Sequence, residues 1–587
     1  MGWFFKTQRV IYKPVEEVDL SPDSDEVYLR ANVKAPRMAG FLIKIAAWIL
    51  ESRILGAMLV YILKGENLIH KLVSFAELKE PPVYVPYHPW KDLKEQEAKC
   101  IPSELPPSEK AQHAVDCLPL CSDVIINTQQ PTFRRWTIQD YSRAYISGET
   151  TPLVVAKSFL DALHASSTPP LKMSFFISYN AEDILRQATE STLRYERGEP
   201  ISVLDGVPIA VKDEIDSKPY QTTGGTKWLH KLRHCTDDAC CVKHLRSCGA
   251  IIVGKTNMHE LGVGTSGINP HYGATRNPYD PSKVTGGSSS GSAAVVSAGL
   301  CPVALGVDGG GSVRIPASLC GVIGFKPTFG RVSHSGVLPL NWTVGMVGIL
   351  AGTVEDALIV YAAISGHHPS NQPTILPPKI NLPLLKSEKS MSRFKIAKYK
   401  ETVDVTLPEI EVMRLAHYLT IGSECNASIR PHLEKMDVAE LGCDARVALR
   451  IYGAFNSREY LNAQRIRNRQ MHFYKHILER ADFIVIPTTG VTAYPIMEDA
   501  LKYGDFDYIN GAALVRYQIA GNFLGLPAVT VPVGYDKSGM PIGLQFIGRP
   551  WSESTLLHIA FAVQVLSIQS YRKPKVFYNL LSKKEEP

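Results

Sequence analysis

The sequence predicts an α/β fold: a mixed or parallel β-sheet flanked by helices, preceded by an N-terminal helical extension. Three observations carry this. A strand–helix–strand pattern spans residues 207–254. Two glycine-rich loops, near 285–291 and 308–312, each run into an apolar helix. An irregular stretch separates these units from two apolar helices near the N-terminus.

Composition sets the bounds. The 587 residues are 45% hydrophobic and 20% charged, ordinary globular usage. Disordered, collagen-like and disulfide-framework proteins are excluded. The net charge of +6 is dilute, and no run of five Lys/Arg occurs, so charge gives no footprint for nucleic acid.

The first element in chain order is the extension, residues 1–64. Met1-Gly2-Trp3-Phe4-Phe5-Lys6 lacks an apolar core of signal-peptide length, and Lys6 breaks the myristoylation pattern. Residues 40–63 read GFLIKIAAWILESRILGAMLVYIL. Lys44, Glu51 and Arg53 interrupt them, and the longest uncharged run, Ile54–Leu63, is half of a bilayer span. A helix pair would gather Leu42, Ile45, Trp48 and Ile49 with Leu55, Met58, Leu59 and Ile62 on one side. That side either packs on the protein core or on a second copy of the chain, or lies on a membrane surface.

Residues 65–135 are rich in Pro, Glu and Lys and read as a wrapping or linking segment. From 136 to 587 the texture is α/β. Val207, Ile209 and Val211 alternate as a strand. Asp237 is placed to cap a helix through Cys241, Val242, Leu245 and Cys248. Gly249 ends that helix, and AIIVG (250–254) is the next strand. The 11 cysteines show no CxxC pair, which points to reduced, buried thiols rather than a zinc site or disulfides.

TGGSSSGSAAVVSAGL (285–300) is a Gly/Ser loop entering an Ala-rich helix. PVALG (302–306) is a short strand leading into VDGGGSVRIPASLCG. Gly309, Gly310 and Gly311 before Ser312 let backbone amides converge on one point, the requirement of an oxyanion hole. Two other motifs lack their context. Gly262-Val-Gly264-Thr-Ser-Gly267 fits GxGxxG but does not follow a strand directly. Gly287-Ser-Ser289-Ser-Gly291 fits the nucleophile elbow, but the residues upstream are loop.

A serine nucleophile needs a base. No His–Asp pairing is evident near these loops. A lysine kept neutral by burial can serve, and Lys212 sits on the apolar strand VPIAVKDEID. A lone lysine base would make the rate climb from pH 7 toward 9.

VPIAVKDEID, TGGSSSGSAA and GVDGGGSVRIPASLCGVIGFKP together resemble the three blocks of the amidase signature family, and the C-terminal DFIVIPTTG and GNFLGLPAVTVPVGYDKSGMPIGLQFIGRPW are similar to it as well. The resemblance runs from about 136 to 575. With WLHKLRHCTDDAC and MHELGVGTSG, it is strongest to the plant branch that cleaves fatty acid amides. It implies a large twisted mixed sheet flanked by helices. It implies Ser312 as nucleophile, Ser288 as proton shuttle and Lys212 as base. The amides of Gly309, Gly310, Gly311 and Ser312 would hold the oxyanion, with Ser289 supporting the network. It implies no metal and no organic cofactor.

The activity so implied is hydrolysis of N-acylethanolamines and fatty acid amides. The expected partners are a lipid amide substrate, a membrane surface touched peripherally and a second copy of the chain, with no nucleic acid. The implied location is intracellular, on the cytosolic face of the endoplasmic reticulum or also the plasma membrane. An amidase of small amides, one chain of a glutamyl-tRNA amidotransferase, and a non-catalytic membrane scaffold are the alternatives. One departure stands out. FKIAKY (394–399) and VDVTLPEIE (403–411) read as successive strands, with no room between them for a crossover helix.

Overall fold

The computed structural model describes residues 10–21, 37–89, 95, 97–119, 133–366, 379–386, 396–397 and 407–581. Ten strands form one mixed sheet. In chain order they are β1 (Phe176–Ser178), β2 (Pro208–Lys212), β3 (Ile251–Thr256), β4 (Val303–Asp308) and β5 (Ile323–Lys326), then β6 (Met346–Ala351), β7 (Ile396–Ala397), β8 (Phe483–Pro487), β9 (Ala528–Tyr535) and β10 (Pro541–Gly548). The sheet order is β7-β8-β10-β9-β5-β6-β4-β2-β3-β1.

Strands β2, β3 and β4 run parallel. Their register pairs Val211 with Leu305 and Lys212 with Thr256, so all three end at the same edge. Every residue of β2, β3 and β4 is buried, as expected for central strands covered on both faces. In open α/β sheets, loops beyond the carboxyl ends of such strands carry the ligand site.

The helices that matter to the site are α1 (Gly40–Glu51), α2 (Arg53–Glu66), α3 (Pro107–Val115), α4 (Ser290–Ser297), α5 (Arg314–Cys320), α6 (Val354–Ile364), α7 (Ile410–Leu433) and α8 (Cys443–Tyr452). Every residue of α4 and α5 is buried, as is every residue of α6 except Glu355. That is why small and apolar residues lie on all sides of these helices rather than on one face.

Helices α1 and α2 break at Ser52, whose Oγ caps α2 by accepting from the Leu55 amide, and their axes bend by 109°. The buried face of α1 is Ile43, Ala46, Ala47 and Leu50, packed with Cys443 and Val447 of α8. The face presented outward is Phe41, Leu42, Ile45, Trp48, Ile54, Leu55, Met58 and Ile62. Leu59 turns toward the core instead. Among the described residues no single helix is long and apolar enough to cross a membrane.

The stretch after α2 is less irregular than its composition suggests. A π-helical turn occupies His70–Ser74, the strand Ala98–Pro102 pairs with Lys379–Pro383, and α3 packs on α6. Two local expectations fail. The helix Cys240–Ser247 begins without a side-chain cap. Asp237 is spent on Lys243, and Asp238 takes the Lys218 amide. The expected strand 403–411 is, in its described part, a turn entering α7. There Glu409 adopts φ +56° while its carboxylate pairs with Arg469. Of the strand expected at 394–399, Ile396–Ala397 forms β7, parallel to β8. The junction at 400–402 lies outside the described residues.

Candidate active site

The site grows from the carboxyl ends of β2 and β4. Lys212 is the last residue of β2 and fully buried. Its Nζ donates to Ser288 Oγ at 2.8 Å and to the Val307 carbonyl at 3.2 Å, and lies 2.7 Å from Glu214 Oε2. Three acceptors thus meet the three hydrogens of an ammonium. Ser288 is 1% exposed and Glu214 2% exposed, so these bonds stand in low dielectric. Ser289 turns away from the cavity. Its Oγ lies against Gly306 and donates to the same Val307 carbonyl at 3.4 Å.

Beyond β4, Asp308 and the glycines form a tight turn into α5. Ser312 and Gly310 are half-buried and border a cavity, whereas Gly309 and Gly311 are buried. The Ser312 carbonyl accepts from the Ser289 amide at 3.1 Å, which ties the two serine loops together. Gly311 has φ +106°, and a Cβ there would strike Gln518 at 2.4 Å, so only glycine fits.

The turn is pinned from outside. The Gly311 amide donates to Asp308 Oδ1 at 2.6 Å and the Val313 amide to Asp308 Oδ2 at 3.1 Å. Arg314 grips the same carboxylate through Nε at 3.0 Å and Nη2 at 3.1 Å, and reaches Gln545 and Asn522. Burial by itself would raise the Asp308 carboxyl, but Arg314, Lys326 and the Gly311 amide outweigh it and hold it well below the usual carboxylate range. His417 of α7 donates from Nε2 to the Gly309 carbonyl at 2.8 Å. Burial lowers His417 to about 4, so at neutral pH it is an uncharged donor.

The cavity measures about 170 Å³. Ser312, Gly310, Gly262, Tyr418, Tyr452 and Tyr508 line it. A Cβ on Gly262 would stand 3.5 Å from Ser288 Oγ and 4.0 Å from Glu214 Oε2, so this residue of the cavity wall lies beside the lysine network. His259 also borders it. Its backbone amide donates to the Ser288 carbonyl at 3.2 Å, and its Nε2 lies 3.1 Å from Asp444 of α8. Burial opposes charge on His259, but Asp444, Asp505 and Glu260 outweigh it and raise the imidazole above its ordinary value.

The expected residues therefore converge unevenly. Lys212 and Ser288 are in direct contact, and Ser312 is tied to their loop through the Ser289 amide. Ser289 lies behind, on Val307. Of the four expected oxyanion donors, the Gly311 amide is committed to Asp308. A His–Asp pair does border the site, contrary to the sequence reading, because Asp444 comes from a helix 185 positions downstream of His259. Glu214, Asp308, Arg314 and His417 were missed. Glu214, Asp308 and Arg314 stand within two residues of expected site residues, and a charge inside an apolar block was the available signal. His417 had none. Among the described residues no group of three or more His, Cys, Asp or Glu is arranged to hold a metal ion.

The amidase family model matches residues 159–430 and 433–557. The chain belongs to the amidase signature family. It is 41% identical over 602 residues to a fatty acid amide hydrolase of Oryza sativa subsp. japonica, covering 97% of this chain and 98% of that one. It is 40% identical over 605 residues to a fatty acid amide hydrolase of Arabidopsis thaliana, covering 97% and 99%. Among solved structures, the peptide amidase of Stenotrophomonas maltophilia superposes with a TM-score of 0.63 at 26% identity, over 75% of this chain and 98% of its own. The protein is an amidase-family enzyme homologous to fatty acid amide hydrolases, on the mixed α/β fold that the sequence predicts.

Proposed function

We propose that this enzyme is a serine amidohydrolase that cleaves N-acylethanolamines and related fatty acid amides to free fatty acid and amine. The observation that carries the reading is the buried 2.8 Å contact of Lys212 with Ser288, placed beside the glycine turn that ends in Ser312. Ser312 Oγ attacks the amide carbon. Its proton passes to Ser288, and the Ser288 proton passes to Lys212. The oxyanion forms against the amides of Gly309, Gly310 and Ser312, with the Gly311 amide bound to Asp308. As the C–N bond breaks, the protons return along the same path to the leaving amine. Water then releases the acyl group from Ser312 by the same relay.

The outward apolar row on α1 and α2 supports a lipid-derived substrate. Trp48 is 69% and Phe41 74% exposed, in a protein whose relatives include fatty acid amide hydrolases. In this reading the row rests on the cytosolic face of the endoplasmic reticulum or packs against a second copy of the chain. Residues 1–64 serve as the membrane or dimer contact, 65–135 as the wrapping segment and 136–587 as the catalytic domain.

One observation favours a second reading, an amidase of small amides. The cavity at Ser312, about 170 Å³, lies below the usual 300–1,000 Å³ of ligand pockets. Pure protein incubated with a long-chain N-acylethanolamine and with a short primary amide separates the two. The proposed function requires the larger kcat/KM on the long-chain amide. Turnover of the short amide alone sustains the second reading.

A further inference from the structure

The contact between Lys212 and Glu214 has a chemical problem built into it. A base must offer a lone pair to Ser288. Yet Lys212 Nζ is surrounded by three acceptors: Ser288 Oγ at 2.8 Å, the Val307 carbonyl at 3.2 Å and Glu214 Oε2 at 2.7 Å. A nitrogen that donates to all three is an ammonium, and an ammonium takes no proton. The amine appears only when one of its hydrogens leaves. Of the three acceptors, only the Glu214 carboxylate can keep a proton.

We infer that Glu214 is a positioning residue that takes the resting proton of Lys212, so that the base is exposed inside the buried site without exchange with solvent. This rests on the reading of Lys212 as base. The step moves one proton along the 2.7 Å contact: Lys212–NH₃⁺ with Glu214–COO⁻ becomes Lys212–NH₂ with Glu214–COOH. Charge and atoms balance, and no bond other than N–H and O–H changes. The transfer leaves the new lone pair facing Oε2, and rotation of the amine about its Cε–Nζ bond turns that lone pair to Ser288, with one hydrogen for Val307 and the other for a free lone pair of the Glu214 carboxyl. Both side chains are at most 3% exposed, and a low dielectric favours the uncharged form of such a pair over the ionic one.

The backbone sets up the contact. Strand β2 ends at Lys212, and the chain turns at once, with the Ile215 amide donating to the Lys212 carbonyl at 3.0 Å. The Glu214 carbonyl is fixed by the Leu338 amide at 2.9 Å. The turn folds the Glu214 side chain back over the amine two residues before it.

Other titratable groups around the pair are otherwise engaged. On the neighbouring strand β3, Lys255 pairs with Asp213 at 3.1 Å. At the end of β4, Asp308 is held by Arg314. From α7, Cys425 faces Glu214, and burial followed by that carboxylate pushes its thiol up to about 12. From the loop after β3, His259 is paired with Asp444.

The test is the pH dependence of kcat/KM on the better amide substrate from about pH 5 to about pH 9, for the native enzyme, Glu214→Gln and Glu214→Asp. The internal transfer makes the native profile flat over that range. The amide of Glu214→Gln accepts from an ammonium but cannot hold its proton. Solvent must remove it, and the profile gains a limb of about tenfold per pH unit, read in kcat with KM unchanged. Glu214→Asp restores the flat profile at a lower plateau.

If Glu214 merely holds Lys212 charged, the native rate climbs with pH and Glu214→Gln is faster at neutral pH. That result, or parallel profiles for the two proteins, overturns the inference. Should Glu214→Gln fail to fold, the native profile alone decides, because a slope near one across the range is incompatible with internal transfer. Absence of hydrolysis of either amide at every pH would instead overturn the proposed function, and with it the base that this inference serves.

Discussion

The catalytic loops and the N-terminal helix pair invert the usual distribution of residues in opposite directions. Around Lys212 the chain encloses Lys212, Glu214, Asp308 and Arg314, all at most 2% exposed. On α1 and α2 it leaves Phe41, Trp48, Ile54 and Met58 more than half exposed. Charges are seldom fully buried unless paired, and contiguous exposed apolar rows are rare on proteins that work alone in water. Each departure costs stability. In the proposed function the buried charges serve chemistry and the apolar row offers a surface to be met. The departures also differ in rigidity. The buried charges are cross-linked by many bonds, while the most exposed members of the apolar row, Phe41, Trp48 and Ile54, are covered by little of the fold.

Substitutions sharpen that contrast, because those in the loops are felt in rate and stability and those on the helices only in association. The largest effect is expected from Ser312→Ala. It should leave the melting temperature near native and lower kcat by about 10³-fold or more. A fluorophosphonate should label Ser312 in the native enzyme. Labelling at Ser289 would revive the nucleophile-elbow motif.

Asp308→Asn keeps the shape of the side chain but leaves Arg314 buried without its anion. Breaking a buried pair from one side costs about 3–5 kcal/mol, so a large fall in denaturant midpoint is expected together with lost activity. A near-native midpoint would show that Gln545 and Asn522 suffice to hold Arg314.

On the helices, Trp48→Glu with Met58→Glu should leave stability and short-amide turnover unchanged. Each removes an apolar contact worth about 2 kcal/mol, so binding to lipid vesicles should weaken by about 10³-fold, or a dimer should split in sedimentation. If neither occurs, the row has no partner and the contrast between the regions fails.

The smallest effect concerns His417. In the folded enzyme it takes a proton only near pH 4, against 6.5 for a free imidazole. As pH falls through 6.5 the unfolded chain binds a proton that the native one refuses, so stability declines from there until about pH 4. His417→Gln retains a donor for the Gly309 carbonyl and removes the titration. Between pH 7 and about pH 5 the variant should lose about 2 kcal/mol less stability than the native enzyme does, read from thermal unfolding of both proteins at both pH values.

The fold class and the site were legible to different degrees for physical reasons. Strands β2, β3 and β4 and helices α4 and α5 were readable because short apolar runs alternate with Gly/Ser loops, a local pattern. The contact of Lys212 with Ser288 was reachable only through the resemblance, since no local rule joins residues 76 positions apart. The Asp237 cap failed because Lys243 competes for the same carboxylate. The His259–Asp444 pair was invisible because the fold alone brings α8 beside the loop after β3. The helix pair was read as apolar on one side. Its true buried side is the one with small residues, Ala46, Ala47 and Gly56, which let the backbones approach α8 and each other.

The glycine turn before Ser312 is held at both ends, by His417 on the Gly309 carbonyl and by Asp308 on the Gly311 amide. Its peptide planes are therefore fixed at both ends, and in the proposed function they form an oxyanion pocket that is ready before substrate binds. In kinetic terms such a pocket needs no activation step. A ketone inhibitor that forms a reversible tetrahedral adduct on Ser312 should bind in a single phase, at a rate linear in inhibitor concentration, with neither lag nor saturation.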